Sequence, residues 1–197
     1  VHFVPQAGKR ALLARMLSDP ALSRVIVFTR TKRGADRVAG DLDRDGVAVE
    51  ALHGNKSQPA RERALDKFRS GRARVLVATD IAARGIDVTG VSHVINFDLP
   101  VEPESYVHRI GRTARAGSAG IAISFCDAAE HGALRAIEKA TRKPIPVGSG
   151  TPPQAPARAP SGPGAKSQPA GGKAAPGRSR RRRSGRGRRA GGMRDAA

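Results

Sequence analysis

The sequence predicts an α/β domain in which helices cover both faces of a mainly parallel sheet. Short apolar runs such as Val25–Phe28 and Val75–Ala78 lack the polar alternation of a half-exposed strand. Such runs are typical of strands that are buried on both faces. Segments with apolar residues at helical spacing separate them. This alternation of strand and helix favours a parallel sheet with crossover helices.

Each element can be justified from its own pattern. The strands are expected at 24–28, 47–52, 75–78, 91–97 and 120–125, and the helices at 9–18, 31–45, 59–70, 103–110 and 128–141. The apolar positions 12, 13, 16 and 17 lie on one face of the first helix, and Pro20 ends it. Gly46 and Gly71 are expected to end the second and third helices.

Composition divides the chain of 197 residues into two parts. Residues 1–147 carry 24 Lys and Arg against 16 Asp and Glu, and their length suits one domain with a real core. Residues 148–197 carry 12 Lys and Arg against one acid and have almost no large apolar side chain. Because such a segment buries too little surface to offset its ordering entropy, we expect a disordered basic tail.

The chain lacks several signals that would indicate other classes of protein. It has no run of eighteen apolar residues, so we expect no membrane span, and no signal peptide is visible. The single cysteine, Cys126, excludes a disulfide within the chain and is expected to be a small buried side chain. No metal site is expected. The first residue is Val1, which suggests that further sequence precedes it.

Arginines recur every three residues near the predicted end of the fourth helix. Arg109, Arg112 and Arg115 share neighbouring turns, and Gly111 and Thr113 indicate that the helix ends among them. Clustered guanidiniums repel one another unless an anion lies between them, and their planar donors fit phosphate oxygens. The spacing therefore predicts a phosphate site, although a basic helix surface facing water is the alternative for the arginines alone.

Polar segments also follow the buried strands directly, at the edge where open α/β sheets bind ligands. Four ordered segments within 1–147 resemble motifs of the second RecA-like domain of DEAD-box ATP-dependent RNA helicases, most closely the bacterial RhlE type. They are FTRTKRGAD for motif IV, HGNKSQPARERAL for the glutamine-and-arginine motif, VLVATDIAARGIDV for motif V and YVHRIGRTARAG for motif VI. One motif alone is weak, but four in order are specific. The family usually has glycine where this chain has Ala114.

The resemblance implies contacts with the RNA backbone. The residues that match are Thr29, Arg30, Gly54, Gln58, Arg61, Thr79 and Asp80. Thr79 offers a hydroxyl, and Gly54 lets backbone N–H groups approach a phosphate. Asp80 either accepts from a 2′-hydroxyl or orients a neighbouring arginine. Arg84 either bridges motifs V and VI or forms a structural ion pair.

The resemblance also implies a share in an ATP site. Arg112 and Arg115 match arginine fingers directed at the γ-phosphate, and His108 would couple the ATP site to the other lobe. Asp87, in the segment that also contains Gly85, would accept hydrogen bonds from the ribose hydroxyls. The chain has no Walker loop and no Asp-Glu-Ala-Asp sequence. An N-terminal RecA-like lobe outside this chain would therefore hold Mg²⁺ and the β- and γ-phosphates, and this chain alone is expected to be inactive.

The tail becomes arginine-rich at residues 178–189. Four consecutive arginines, Arg180, Arg181, Arg182 and Arg183, form the centre of this block. Because no aromatic residues are interleaved, we expect binding to RNA by charge and without sequence preference. The alternatives are a solvated charge run and a nuclear-localisation signal. The resemblance to a bacterial type argues against the second and implies a cytoplasmic protein.

Two other functions remain open at this point. One is the second lobe of another superfamily 2 helicase acting on DNA. The other is a non-enzymatic RNA-binding or annealing adaptor, made of one RecA-like domain and a basic tail. The function that the resemblance favours is local, sequence-nonspecific unwinding of RNA by a two-domain enzyme.

Overall fold

Six parallel strands form one sheet in the order β1–β6–β5–β2–β4–β3. The computed structural model describes residues 1–83, 88–113 and 120–152. The strands are β1 (His2–Phe3), β2 (Val25–Phe28), β3 (Val49–Leu52), β4 (Val75–Ala78), β5 (His93–Asn96) and β6 (Ile121–Cys126). The helices are α1 (Lys9–Leu17), α2 (Lys32–Arg44), α3 (Gln58–Arg69), α4 (Asp80–Ala83), α5 (Pro103–Ile110) and α6 (His131–Thr141).

The expected fold class is confirmed, and the sequence patterns explain the boundaries of the elements. The side chain of Thr31 accepts a hydrogen bond from the Gly34 N–H and so caps α2. Gly46 and Gly71 follow α2 and α3 with φ of 78° and 76°, a conformation that glycine adopts without strain. The last predicted helix begins as a 3₁₀ turn (Ala128–Glu130) before α6.

Alternate residues of the central strands pack on opposite faces of the sheet. Val25 and Val27 lie in a cluster with Leu13 of α1 and Leu42 of α2. Ile26 and Phe28 face the other way, towards a second cluster. A third cluster joins α5 and α6 through apolar side chains: Tyr106, Leu134 and Ile137. Helices therefore cover both faces, as predicted.

One β-strand and one α-helix of the described structure were absent from the sequence prediction. β1 has only two residues, which is too short to show a periodic pattern, and it pairs with Phe125 and Cys126 far along the chain. α4 follows β4 directly and is a single helical turn, so its residues gave no helical pattern either. The predicted domain boundary at 147 falls inside backbone pairing with β1, because the Phe3 N–H donates to the Ser149 carbonyl.

Candidate functional site

A groove of about 630 Å³ opens at the carboxyl ends of β2, β3 and β4. It brings together four residues that were predicted to contact RNA and that lie in three separate motifs. These are Arg30, Gly54, Thr79 and Asp80. The groove is completed by residues that were not predicted: Thr31, Lys32, Arg33, Asn55 and Ile81. Parallel strands bring these segments together because their carboxyl ends share one edge of the sheet.

Asp80 is locked to Arg109 of α5 at one side of this groove. The Nε and Nη2 atoms of Arg109 lie 2.5 and 2.8 Å from the two carboxylate oxygens of Asp80. Nη1 donates to the Asn96 side chain at 3.1 Å and to the Asp98 carbonyl at 2.7 Å. The guanidinium also lies 5.0 Å from the centre of the Phe28 ring. Of the two alternatives for Asp80, orienting an arginine is therefore the one that its hydrogen bonds favour.

Arg109 is only 1% exposed, so its side chain is enclosed and does not project from the helix end. Arg109 is therefore not available to a phosphate, and the roles predicted for Arg112 and Arg115 stay predictions. Its neighbour Tyr106 is also buried, and residues three apart share a helix face. The sequence thus held a signal for the burial of Arg109, whereas no local pattern indicated Asn96 as its partner.

The Asp80–Arg109 pair also lines a small cleft. His108 and Arg112 line it together with Ser105 and Ala83. His108 is exposed, and Arg112 is partly exposed with its Nε donating to the His108 carbonyl at 3.2 Å. The α5 helix ends at Ile110, as predicted, so both side chains sit on its last turns and just beyond. Asp80 lines both the groove and this cleft, so the two surfaces are adjacent.

The structure corrects the expected role of Thr29. Its relative exposure is 0%, and its hydroxyl donates to the Thr31 carbonyl at 3.3 Å. A side chain enclosed in this way holds the loop between β2 and α2 rather than contacting RNA directly. Thr79 is 8% exposed and does line the groove.

Gln58 and Arg61 lie together on the first turn of α3, outside the residues that line the groove. The Arg61 Nη1 donates to the Gln58 side-chain Oε1 at 3.3 Å, and the Gln58 Nε2 donates to a Glu62 carboxylate oxygen at 2.8 Å. The Arg61 Nε is buried and has no hydrogen-bond partner among the described residues. Their predicted contact with RNA stays a prediction.

A charged cluster holds the loop that contains Gly54. The His53 Nε2 lies 2.8 Å from a carboxylate oxygen of Asp36, and the Lys56 Nζ lies 3.0 Å from the same oxygen. The Asn55 N–H donates to His53 Nδ1, so Nε2 is the ring nitrogen that donates to Asp36. Burial alone would raise the pKa of Asp36, but the bonds from His53 and Lys56 outweigh it and lower that pKa.

Several predicted residues lie outside the described part of the chain. They are Gly85, Asp87, Arg115, Arg180, Arg181, Arg182 and Arg183, together with Arg84 and Ala114. Within residues 1–83, 88–113 and 120–152, no helix is long and apolar enough to cross a membrane. The same residues contain no group of histidine, cysteine and acidic side chains suited to a metal ion.

Comparison with known proteins decides the family. The sequence model of the helicase conserved C-terminal domain matches residues 8–117, which is more than half of the chain. The chain belongs to this family. It is 50% identical over 140 residues to the DEAD-box ATP-dependent RNA helicase CshA of Bacillus subtilis. This alignment covers 71% of this chain and 28% of that protein. The chain is 49% identical over 140 residues to the ATP-dependent RNA helicase CshA of Listeria monocytogenes, with 71% and 27% covered.

Solved structures agree with these sequence relatives. The E. coli DEAD-box protein SrmB, bound to regulator of ribonuclease activity A, superposes with a TM-score of 0.71 at 41% identity and covers 74% of this chain and 86% of that one. S. cerevisiae Dbp5, bound to RNA and ADP BeF3, superposes with a TM-score of 0.69 at 37% identity. The match covers 75% of this chain and 39% of the Dbp5 chain. The chain spans about a quarter of the length of the two CshA relatives. It is thus the C-terminal RecA-like lobe of the DEAD-box type, as predicted; its likeness to the RhlE type in particular stays a prediction.

Proposed function

We propose that this DEAD-box C-terminal lobe completes an ATP-dependent RNA helicase when it docks on an N-terminal RecA-like lobe. The observation that carries the proposal is that Asp80, locked to Arg109, lines both the groove and the cleft of His108 and Arg112. The cleft at the end of α5 and the basic groove therefore share Asp80. Because the two surfaces are adjacent, closure of the two lobes on a nucleotide and binding of RNA in the groove would depend on each other.

On the cleft side, Arg112 and Arg115 would stabilise the charge that develops on the transferring γ-phosphoryl group of ATP. His108 lies exposed on the same helix end and would meet the other lobe. Asp87 would accept hydrogen bonds from the ribose hydroxyls, and Gly85 would bind the nucleotide from the same segment. Mg²⁺ would be held by the N-terminal lobe, since this chain has neither a Walker loop nor an Asp-Glu-Ala-Asp sequence. ATP is thus the nucleotide we assign to this cleft.

On the groove side, the substrate would be the sugar–phosphate backbone of RNA. Arg30, Lys32 and Arg33 supply positive charge, and Gly54 leaves room, since a Cβ there would meet only the flexible end of Lys32 at 3.4 Å. Backbone contacts of this kind carry no sequence information. Holding one strand in a path that its partner does not follow would separate a short duplex, and hydrolysis would reopen the cleft.

The arginine-rich block at 178–189 would tether RNA by charge, and the whole protein would act in the cytoplasm. The block is strongly basic, with eight arginines in twelve residues. Replacing all eight with alanine should weaken RNA affinity and flatten its salt dependence, by about 0.7 in log–log slope for each lost phosphate contact. An unchanged slope in a binding titration across salt concentrations would exclude this role.

The direct test is RNA-stimulated ATP hydrolysis by this chain, alone and mixed with a separately expressed DEAD-box N-terminal lobe. We expect turnover only in the mixture, since each partner holds part of the site. Physical association of the two lobes, measured by analytical ultracentrifugation, is the control. If the lobes associate and RNA binds but no turnover appears, the non-enzymatic RNA adaptor becomes the better assignment.

A further inference from the structure

Glu130 is a nearly enclosed carboxylate that accepts four hydrogen bonds, one of them from the edge of the groove. It is 4% exposed and ends the 3₁₀ turn before α6. Its Oε2 accepts from the Lys9 Nζ at 2.5 Å and from the Asp127 N–H at 3.2 Å. Its Oε1 accepts from the Arg30 Nη2 at 2.7 Å and from the Leu99 N–H at 3.0 Å. A carboxylate that accepts hydrogen bonds from this many donors has a fixed position.

Lys9 supplies the positive charge that compensates the Glu130 carboxylate. It is 0% exposed, and its Nζ lies within 3.6 Å of Asp98 and 3.7 Å of Asp127 besides Glu130. A buried ammonium and carboxylate are tolerated only as a pair with further hydrogen bonds. This pair joins α1 to the turn before α6 across 121 residues of sequence. Glu130 is thereby anchored to the body of the domain.

Arg30 is the member of this cluster that reaches the groove. Its Nη2 is held by Glu130 and by the Leu99 carbonyl at 3.2 Å, and its backbone N–H donates to Asp98 at 3.0 Å. Its side chain is nevertheless 47% exposed and lines the groove. Within the described residues, Nε and Nη1 have no hydrogen-bond partner. One part of the guanidinium is fixed, and the rest is available to a ligand.

We propose that Glu130 is a positioning residue, which holds Arg30 so that its remaining donors meet an RNA phosphate. The inference rests on the proposed function of the groove and adds a residue outside the four motifs. A free arginine loses side-chain freedom when it binds, whereas one already fixed at Nη2 has lost much of it on folding. Glu130 therefore raises RNA affinity through Arg30 without touching RNA.

The opposite effect, sequestration of Arg30 by Glu130, is the outcome that would contradict the proposal. Three acids surround the two cations: Asp98, Asp127 and Glu130 face Lys9 and Arg30. If this excess of negative charge mainly repelled phosphate, neutralising Glu130 would strengthen RNA binding. The sign of the change in affinity therefore separates positioning from sequestration.

The test is a double-mutant cycle on affinity for a single-stranded ten-nucleotide oligouridine RNA. The full-length chain is used with the eight arginines of 178–189 replaced by alanine, so that the tail does not dominate, at about 50 mM salt. Arg30→Ala should weaken binding about tenfold, as for loss of a charged hydrogen bond. Glu130→Gln should weaken it about threefold to tenfold, and by less than about twofold when Arg30 is already alanine.

Two further variants protect the test against a simple loss of stability. Lys9→Met with Glu130→Gln removes one charge of each sign, leaves the net charge of the cluster unchanged, and should weaken RNA binding as Glu130→Gln does. Glu50→Gln breaks the Lys67–Glu50 pair, which is also 2.5 Å long but lies outside the groove, and should leave affinity unchanged. A merely structural Glu130 would lower the melting temperature without the non-additivity with Arg30.

The outcomes separate this inference from the function on which it rests. Weaker binding that vanishes in the Arg30→Ala background supports it. Unchanged or tighter binding for Glu130→Gln, effects that add to those of Arg30→Ala, or no effect of Arg30→Ala on a chain that still binds RNA overturn this inference alone. Failure of the parent chain to bind RNA at all overturns the proposed RNA site as well.

Discussion

Arg109 and Arg112 lie one helical turn apart at the end of α5, yet the fold uses them in opposite ways. Arg109 is enclosed, and all three of its guanidinium nitrogens donate to Asp80, Asn96 or the Asp98 carbonyl. Arg112 lies beyond the last residue of the helix, lines the cleft and is partly exposed. Identical chemistry and regular spacing thus gave one structural and one accessible guanidinium.

The difference shows what controls the role of an arginine here. A guanidinium buried from water needs most of its donors satisfied, and Asp80, Asn96 and the Asp98 carbonyl provide these acceptors for Arg109. The Phe28 ring covers one face of the Arg109 guanidinium and adds a cation–π contact. The predictions below test whether the two arginines separate stability from activity.

The largest effect is expected for Arg112→Ala. In the mixture with an N-terminal lobe, RNA-stimulated ATP turnover should fall by about 10³-fold or more, as for other arginine fingers. The free energy of unfolding should change by less than about 1 kcal/mol, because the residue is not enclosed. Arg112→Lys is the matched control, since it keeps the charge but loses the planar fork, and should restore little turnover. Near-normal turnover of Arg112→Ala would remove it from the ATP site.

Arg109→Met should lower the free energy of unfolding much more than Arg112→Ala does. Removing one partner of an enclosed ion pair leaves Asp80 uncompensated, so the free energy of unfolding should fall by about 3 kcal/mol. The loss should be moderated because the Asp80 side chain keeps 31% exposure. Urea denaturation of the full chain measures it. Adding Asp80→Asn to Arg109→Met should recover part of the loss, and simple additivity of the two changes would show that the pair is not coupled.

The Asp36 cluster provides a more exposed ion pair for comparison. The Asp36 side chain is 50% exposed, so Asp36→Asn should lower the free energy of unfolding at pH 7 by less than about 1 kcal/mol. Because the folded-state pKa of Asp36 is lowered from 3.8, its contribution is present above that value. The contribution should disappear as pH falls through the lowered pKa. Urea titrations at several pH values measure the difference in the free energy of unfolding between the unchanged chain and Asp36→Asn. A difference that persists in strong acid would indicate that Asp36 acts through packing rather than charge.

The smallest change is expected in the reactivity of Cys126, which reports on packing beside α5. Cys126 shares a buried cluster with Tyr106, and burial raises the pKa of its thiol to about 11. At pH 8 the native thiol should react slowly with a disulfide reagent and much faster in guanidinium. Arg112→Ala should leave the native rate unchanged, whereas Arg109→Met should increase it. Equal rates for the two variants would mean that α5 packs independently of Arg109.

Much of the site was predictable because its residues follow buried strands directly. Arg30, Gly54, Thr79 and Asp80 come from different motifs, and the shared edge of a parallel sheet brings them to one groove. Thr29 follows the same strand end but is completely buried, because its hydroxyl turns towards the Thr31 carbonyl. Position at a strand end predicted proximity to the groove, but not the direction of each side chain.

The sequence by itself determined the fold class, most element boundaries and the family motifs, because these depend on local periodicity and on the order of short segments. Only the tertiary structure decided which charged groups became partners. Arg30 meets Glu130 across 100 residues, and Lys9 meets it across 121. Those contacts follow from the strand order β6–β5–β2, which brings the ends of distant segments together. The physical reason is that hydrogen bonding and burial act through space, while a sequence pattern reports only neighbours along the chain.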